Sequence, residues 1–295
     1  MEGPSLHFGS VVGSGEAKRI EERVARFRIS HGFEPDLRNP VRFSEKLLAR
    51  ILFDFDPHHL SYACKLFAPA FFSRYGIDTV RIPTRYGVVQ RLTPTTFDSL
   101  PEQFVLKSAF ASGLNEVVES KSQTDVAAIC KRFNERLTEI KNAQGVSYPY
   151  NCVIIEEYLA DGAGDLPDDC KIHCFRQPDG QVEVLVQIDS DRFGEHRQTI
   201  FDEQYRPLDL VFAGRVPHEE LPPRPERLDD AVHAARAVAV DFDYIRVDFL
   251  HVGAELYFGE LTPFHNGGST PLHPDHWDVR LGQMWDQTWP CYSGG

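Results

Sequence analysis

Charged and apolar residues alternate with helical spacing over the first 75 residues of the chain. Apolar side chains recur every three or four positions over residues 16–29 and again over residues 43–53, which predicts two amphipathic helices. A third helix is predicted over residues 59–75, because Gly76 follows its last apolar turn and glycine commonly ends a helix. The N-terminal part of the chain is therefore predicted to be helical.

From residue 101 onward the pattern changes to short apolar strands. Five strands are predicted, at residues 104–107, 115–119, 152–158, 170–175 and 182–188. A turn of small residues separates the first two strands, and Asp179-Gly180 is typical of the hairpin turn between the last two. Between the second and third strands, residues 122–140 have the spacing of an amphipathic helix, which Gly145 closes.

The C-terminal part adds two helices and a hairpin. Residues 228–240 and 277–289 are predicted to be helical, and residues 244–250 and 255–260 form a hairpin that turns at Val252-Gly253. The chain therefore begins with helices and continues with segments rich in strands. No internal repeat interrupts this order.

The six cysteines are scattered, without the spacing of a zinc site or a CxxC motif. In the strand 170–175, alternation places Cys170 and Cys174 on one face and Lys171 and His173 on the other, so buried thiols are favoured over a metal site. The chain shows no signal-peptide pattern, and its apolar stretches are too short to span a bilayer. We therefore expect a cytoplasmic protein without a membrane span.

Charge is distributed unevenly along the chain, whose formal net charge is −13. Residues 1–100 contain 14 basic and 11 acidic side chains, whereas residues 101–295 contain 17 basic and 33 acidic ones. A nucleic-acid surface needs a basic stripe, so the acidic body excludes that class of partner. An acidic body suits a site that collects divalent cations, although it also fits an ordinary solvated surface.

Lys107 is the first residue that points to chemistry. It ends a predicted strand, and the turn after it is made of small residues up to Gly113. Small side chains let backbone N–H groups approach phosphate oxygens, and a lysine supplies a positive charge. On its own, a lysine in this position is more often structural than functional.

Two further segments carry acidic residues at strand ends. Residues 154–159 form an apolar strand that ends in paired acids. These acids can bind a nucleotide, or the strand can simply lead into a solvated acidic loop. On the hairpin, alternation puts Arg246 and Asp248 on one face, and Glu260 ends the partner strand. Two carboxylates beside a guanidinium suit Mg²⁺ between phosphates. A structural ion pair is the alternative, but charges on otherwise apolar strands are costly to bury.

In this order the motifs resemble the ATP-grasp superfamily and, more narrowly, the TupA-like ATP-grasp family of bacterial polysaccharide biosynthesis. The narrower resemblance rests on residues 42–47, 104–107, 164–168, 187–193 and 257–262. It implies an α+β fold with two α+β lobes built on antiparallel sheets. By this resemblance the chain divides into a helical region at 1–85, a small lobe at 86–150, and a large lobe at 151–295 that carries the hinge, the metal site and the acceptor site.

The resemblance also implies an ATP site with Mg²⁺. The residues implied to bind the nucleotide are Lys65, Lys107 and Lys171 at the phosphates, Ser112 and Gly113 in the loop over them, Glu156, Glu157, Tyr158 and Leu159 at the adenine hinge, and Asp165 at the ribose. The implied metal ligands are Asp248, Glu260 and the hydroxyl of Thr262. Arg246 is implied to face the transferred phosphoryl group, with Lys171 and Arg192 as further catalytic residues.

The acceptor side of the site follows from the same resemblance. Its implied residues are Asp189, Asp191, Arg192, His196 and Arg197 from the family's own motif, together with His265 and Asn266 after the metal strand. The segment that contains His265 and Asn266 is, as an alternative, a flexible connector rich in glycine.

The resemblance implies an ATP-dependent carboxylate–amine ligase that forms an acyl phosphate. Its partners would be a uronic acid or related glycan precursor and an amino acid or peptide. The alternatives are an ATP-grasp kinase that phosphorylates a hydroxyl, and a degenerate ATP-binding module, which is suggested only by Phe110 and Leu114 interrupting the glycine loop. Glycosyl transfer is disfavoured because Asp248 and Glu260 belong to an ATP site. The sequence leaves the substrates and the oligomeric state open.

Overall fold

The computed structural model describes residues 14–54, 57–144, 149–160, 167–190 and 195–287. Its helices are α1 Ser14–His31, α2 Phe43–Phe53, α3 Pro57–Ala63, α4 Ala68–Ser73, α5 Val126–Gln144, α6 Leu228–Ala239 and α7 His276–Met284. Its strands are β1 Arg85–Val89, β2 Phe104–Ser108, β3 Asn115–Val118, β4 Val153–Glu157, β5 Asp169–Arg176, β6 Val182–Ser190, β7 Arg197–Phe201, β8 Val211–Phe212, β9 Tyr244–Val252, β10 Glu255–Thr262 and β11 Leu272–His273.

The N-terminal helices agree with the apolar spacing except at one point. Helices α1 and α2 form where they are predicted, but the single helix predicted over residues 59–75 is wrong, because it is two short helices, α3 and α4. Pro69 stands in the first turn of α4, where its fixed φ favours a new helix start. The break leaves Lys65 outside both helices, and its N–H donates to the Ala109 carbonyl at 2.8 Å.

A smaller sheet with the strand order β1-β4-β2-β3 forms in the described part of the chain, and all its neighbouring strands are antiparallel. Helix α5 covers one face of it and contributes Ile129, Phe133 and Leu137 to the core between them. Strand β4 lies after residue 151, the predicted start of the large lobe, yet it pairs with β2 in this sheet. The division of the chain into three regions stays a prediction.

A larger antiparallel sheet with the order β10-β9-β5-β6-β7 has two faces of different character in the described residues. On one face, Cys170, Ile172 and Cys174 pack against the alanine-rich side of α6, including Ala231 and Ala235. The alternation predicted for β5 is therefore confirmed. The other face carries a polar group, in which pairing brings Asp248 opposite Lys171 and Lys171 opposite Gln187. Beside this group the same face carries aromatic side chains, including Tyr244. Asp248 from the polar group lines a cleft together with Lys107 of the smaller sheet.

A bulge at Gly259 shifts the register of the β9–β10 hairpin. Phe258 pairs with Phe249, but after the bulge Glu260 pairs with Asp248. A Cβ atom at position 259 would lie 2.9 Å from the Asp248 carbonyl oxygen, so the close approach needs a glycine. The bulge thereby puts the Glu260 carboxylate on the same face as the Asp248 carboxylate.

The remaining elements close the fold around these sheets. Helices α2 and α7 pack on the larger sheet through an aromatic cluster that includes Phe43, Tyr244 and Trp285. Strand β7 was not predicted, and α7 ends at Met284 in the structure, earlier than its predicted end at residue 289, which lies outside the described residues. Helices combined with antiparallel sheets confirm the α+β prediction. Among the described helices, none combines the length and the apolar character needed to cross a membrane.

Candidate active site

The two sheets face each other across a cleft of about 550 Å³. The smaller sheet and its turn line this intersheet cleft with Lys107, Ser112, Gly113 and Asn115. The loop after α3 and the larger sheet line it with Lys65, Asp169, Asp248, Phe249, Leu250, Gly259 and Glu260. Of the charged residues in the second set, Lys65, Asp248 and Glu260 are predicted to bind the nucleotide or its metal ion, whereas Asp169 was not predicted.

Asp248, Glu260 and Arg246 converge at the bottom of the intersheet cleft. The Arg246 guanidinium donates to both Asp248 oxygens at 2.6 Å and to Glu260 Oε1 at 2.9 Å. Burial raises the pKa of Asp248 to about 7, although the charge of Arg246 acts in the opposite direction. Burial alone would also raise the pKa of Glu260, but Lys65 and Arg246 outweigh it and hold that pKa well below its usual range.

Lys65 reaches the same group from the helical region. Its ammonium lies 3.0 Å from Glu260 Oε2, whereas Arg246 contacts the other oxygen of that carboxylate. The Arg85 guanidinium donates to the carbonyls of Lys65 and Leu66 at 3.1 Å and so ties this loop to the smaller sheet. The break between α3 and α4 therefore positions a lysine over the metal-site candidates.

On the smaller sheet, Lys107 pairs with a residue of the predicted hinge. Its ammonium donates to Glu156 Oε2 at 2.9 Å, and Arg85 lies 3.5 Å from the other Glu156 oxygen. Glu157 accepts a hydrogen bond from the Thr84 backbone at 2.9 Å. Tyr158 and Leu159 follow directly after β4, where Leu159 is buried. The structure thus places Lys107 beside the predicted hinge.

Lys171 is buried, whereas a lysine that contacts phosphates would lie at the surface of a cleft. Its ammonium forms a close ion pair with Asp189 and lies 3.4 Å from Asp169. Asp189 is 1% exposed and accepts further hydrogen bonds from the amides of Gln187 and Gln198. Burial opposes the charged form, but these partners lower the pKa of Asp189 to about 2. The Asp189 oxygens are therefore occupied within the protein.

The remaining acceptor-side candidates are spread over different places. His196 Nε2 lies 3.6 Å from Asp189 Oδ1, whereas Arg197 turns to Glu195 and Glu219 at 2.9 and 3.1 Å. His265 is buried and receives a hydrogen bond from Arg246 at 2.9 Å. Asp165, Asp191 and Arg192 lie outside the described residues.

A second cavity, here called the side chamber, opens next to the intersheet cleft and measures about 670 Å³. The two cavities share Lys65, Ser112 and Glu260. The side chamber is further lined by Ala63, Phe110, Arg246, Leu261, Thr262, Pro263, Phe264, Asn266 and Gly267. A ligand in the side chamber would therefore meet two of the charged groups that a ligand in the cleft meets, Lys65 and Glu260.

The chain also matches a known protein family over the residues that build this site. The sequence model of a family described as TupA-like ATPgrasp matches residues 45–286, which is most of the chain. The chain belongs to the TupA-like ATP-grasp family. The match includes both sheets, the intersheet cleft and the side chamber. No curated protein sequence matches the chain.

Solved structures resemble this TupA-like chain over part of their length. N5-carboxyaminoimidazole ribonucleotide synthetase from Thermus thermophilus is 18% identical, with a TM-score of 0.39 over 68% of this chain and 45% of that one. D-alanine–D-alanine ligase from Helicobacter pylori is 13% identical, with a TM-score of 0.43 over 76% and 61%. The biotin carboxylase domain of Hydrogenobacter thermophilus 2-oxoglutarate carboxylase is 12% identical, with a TM-score of 0.46 over 81% and 51%. The chain thus spans about half the length of the solved structures it matches.

The first motif of the TupA-like resemblance, residues 42–47, lies away from both cavities and fastens α2 to the rest of the fold. Glu45 accepts from the backbone N–H groups of Asp36, Val41 and Arg42. Ser44 donates to the buried Asp278 of α7 at 2.6 Å. This motif therefore has a structural part in holding α2 against α7.

The donor set at the bottom of the cleft fits Mg²⁺. Among the described residues no group of three or more His, Cys, Asp or Glu side chains could hold a metal ion. Mg²⁺ is commonly bound by one or two carboxylates plus water and substrate phosphates, so Asp248 and Glu260 are sufficient. Thr262 Oγ1 lies 3.3 Å from Glu260 Oε1 and adds a hydroxyl beside them. The cations of Lys65 and Arg246 neutralise the two carboxylates in the structure.

Sequence reasoning missed two polar residues of the intersheet cleft and three polar residues behind it. Asp169 and Asn115 line the cleft, and the buried Asn115 Oδ1 atom has no hydrogen-bond partner among the described residues. The signal for them was present, since Asn115 lies opposite Lys107 across the hairpin and Asp169 precedes Lys171 by two positions. The three polar residues behind the cleft are His173, Gln187 and Gln198.

Proposed function

We propose that the protein is an ATP- and Mg²⁺-dependent carboxylate–amine ligase that forms an amide through an acyl phosphate. The observation that carries this proposal is the pair of adjoining cavities that share Lys65, Ser112 and Glu260. In this proposal the nucleotide binds in the intersheet cleft and the carboxylate in the side chamber, and Lys65 and Glu260 line both. Such an arrangement brings two reactants together at one electrostatic centre.

The nucleotide occupies the intersheet cleft in this proposal. Lys65 and Lys107 contact its phosphates, and Ser112 and Gly113 lie in the turn that covers them. Gly113 has a φ of +74°, a backbone conformation that glycine adopts without strain. Residues 156–159 serve as the adenine hinge. Asp165 stays the predicted ribose ligand, and Asp169 is a second candidate because it lines the cleft.

Asp248, Glu260 and Thr262 would hold Mg²⁺, which supplies charge neutralisation at the phosphates when it is bound. Arg246 lines the side chamber and contacts Glu260, which both cavities share, so its charge would stabilise the negative charge that develops during phosphoryl transfer. Lys171 acts from behind as a buried cation held by Asp189. In this proposal Asp189 positions Lys171, because its oxygens are already occupied.

The chemistry activates a carboxylate, which is a poor electrophile at neutral pH. A carboxylate oxygen attacks the γ-phosphorus of ATP, and ADP leaves with the electron pair of the broken bond. An amine then attacks the acyl carbon, phosphate leaves, and a proton is released. The protein positions both reactants and neutralises charge, which is how phosphoryl-transfer sites generally work.

The resemblance to the TupA-like family supports a uronic acid or related glycan precursor as one substrate and an amino acid or peptide as the other. The side chamber suits a carboxylate, because Arg246 and Lys65 line it together with the Asn266 amide. Arg192 and Asp191 are proposed to bind the acceptor. We place the protein in the cytoplasm, since its described free cysteines fit a reducing compartment.

The test measures ADP release from Mg·ATP across panels of uronic acids, amino acids and peptides, with and without hydroxylamine. Hydroxylamine traps an acyl phosphate as a hydroxamate, so we expect a hydroxamate with the correct carboxylate. ADP formation that needs no amine and yields a stable phosphorylated hydroxyl product would instead support a kinase. If no carboxylate gives a hydroxamate while hydroxyl acceptors are phosphorylated, the ligase proposal is wrong.

A further inference from the structure

Within the described part of the chain, Arg246 makes five side-chain hydrogen bonds, and one of them goes to a residue outside the proposed metal ligands. Two go to Asp248 at 2.6 Å, one to Glu260 at 2.9 Å and one to Thr262 at 3.1 Å. The fifth joins Arg246 Nη1 to His265 Nδ1 at 2.9 Å. A metal ion bound by Asp248, Glu260 and Thr262 would compete with the guanidinium for the first four.

The bond to His265 fixes the state of the imidazole ring. An arginine side chain can only donate hydrogen bonds and stays charged in proteins, so His265 Nδ1 must accept. The ring is then neutral and carries its proton on Nε2. Burial, with the nearby His173 and Arg246, lowers the pKa of His265 well below its usual value, in agreement with this geometry.

The surroundings of His265 hold the ring in one orientation. Its centroid lies 4.4 Å from the Phe212 ring, 4.9 Å from the His173 ring and 6.4 Å from the Phe43 ring. Among the described residues its Nε2 has no hydrogen-bond partner. A buried N–H without an acceptor costs free energy, and an apolar residue here would avoid that cost. The bond from Arg246 to Nδ1 is the evident gain that offsets it.

The neighbouring His173 is fixed in the same tautomer by a separate set of bonds. Gln187 donates through its amide nitrogen to Asp189, so its oxygen faces His173 Nε2 at 2.9 Å and accepts from it. His173 Nδ1 then accepts from the Tyr244 hydroxyl at 3.1 Å. The neutral imidazoles of His173 and His265 therefore lie between Arg246 and Asp189, the buried ion-pair partner of Lys171.

We propose that His265 is a positioning residue for Arg246, which keeps the guanidinium in place when Asp248, Glu260 and Thr262 turn to a bound metal ion. The inference rests on the proposed function. A neutral hydrogen-bond acceptor suits this positioning role, because a carboxylate in place of His265 would hold the arginine charge away from the substrate. A cation in place of His265 would repel the guanidinium.

The first test reads the imidazole of His265 directly by NMR in the full chain labelled with ¹⁵N-histidine. The ring is assigned through bonds from its own backbone amide. We expect an unprotonated Nδ1 and a protonated Nε2, both in the protein alone and after addition of Mg·ADP. A proton on Nδ1 in either state would overturn the proposal, because Arg246 could not then donate to that atom.

The second test compares His265→Leu with His265→Asn, whose amide oxygen can take the place of Nδ1 as an acceptor. We expect the leucine variant to lose roughly 10–100-fold in kcat, as removal of supporting residues around metal sites typically does, while its Mg·ADP affinity changes by less than about twofold. The asparagine variant should recover most of the loss. His31→Leu is the matched control, because His31 stacks on Phe27 in the N-terminal helix and takes no part in the site.

Two outcomes would contradict the positioning role of His265. The first is an unchanged kcat in His265→Leu, and the second is a loss of Mg·ADP affinity that equals the loss of kcat. If His265→Leu fails to fold, the protonation of the His265 ring nitrogens in the wild-type protein still tests the proposal. Should no acceptor give turnover, the proposed function fails, but the ring state with Mg·ADP still tests whether His265 retains Arg246.

Discussion

The two sheets that enclose the intersheet cleft carry their charges in different ways. On the smaller sheet, Lys107 pairs with Glu156, and the lysine side chain is 22% exposed. On the larger sheet, the side chains of Arg246, Asp248, Lys171 and Asp189 are all less than 10% exposed. The smaller sheet thus presents a charge near solvent, whereas the larger sheet holds a buried set of charges that neutralise one another.

This difference in exposure distinguishes a charge that binds a ligand, on the smaller sheet, from charges that are fixed in place before the ligand arrives, on the larger sheet. A partly exposed lysine can change partners at little cost, as a residue that follows a nucleotide must. Buried charges lose much of their hydration, and each of them needs a partner in place before any ligand arrives. The larger sheet is therefore where chemistry needs fixed geometry, and substitutions there should have larger effects.

The largest expected effect is on the carboxylates of the larger sheet. Asp248→Asn and Glu260→Gln each remove a proposed metal ligand without changing the size of the side chain, so we expect at least about a 1000-fold loss of kcat in each variant. Turnover is measured by ADP release, and circular dichroism checks the fold. Retained activity in both variants would remove the metal assignment.

A matched pair of lysine substitutions tests the contrast between the sheets. Lys171→Met leaves Asp189 buried without its cation, and we expect it to lower the free energy of unfolding by about 3–5 kcal/mol. Lys107→Met should lower it by no more than about 1 kcal/mol, because the lysine is partly hydrated and Arg85 remains 3.5 Å from Glu156. Urea denaturation of both variants measures the difference. Equal losses would mean that the two sheets hold their charges alike.

Much of the fold could be predicted from the sequence, because the elements in question have strong local signals. Helices α1 and α2 and strands β2, β5 and β9 follow from apolar spacing alone. The break between α3 and α4 was missed although Pro69 marks a new helix start, because the hydrogen bond that holds Lys65 in the break goes to the distant Ala109 carbonyl. The bulge at Gly259 escaped for a similar reason, since it depends on the backbone of the partner strand.

The contacts of the candidate site likewise divide into those that could be predicted from the sequence and those that could not. Glu260 joins Arg246 and Asp248 only through the bulge at Gly259, although the placing of Arg246 and Asp248 on one face was predictable from alternation along a single strand. The hydrogen bond from Arg246 to His265 was not predictable, because it depends on the turn after β10. The partners of Asp189 were also hidden, since Gln198 comes from β7, a strand that the sequence did not predict.

The smallest of these effects is a pH dependence that arises from Asp189. Its pKa is about 2 in the folded protein and about 4 in an unfolded chain, so its ion pair stabilises the fold above pH 4 and the stabilisation is lost as pH falls toward 2. Linkage gives about 2–3 kcal/mol for such a shift. Asp189→Asn should therefore be less stable than the wild-type protein at pH 6, and about half of this difference should be lost by pH 3. Asp98→Asn, at an exposed position, is the control. Urea denaturation between pH 6 and 3 measures both. A constant difference across this range would show that Lys171 does not hold Asp189 in its charged form, and the buried charges of the larger sheet would then need another explanation.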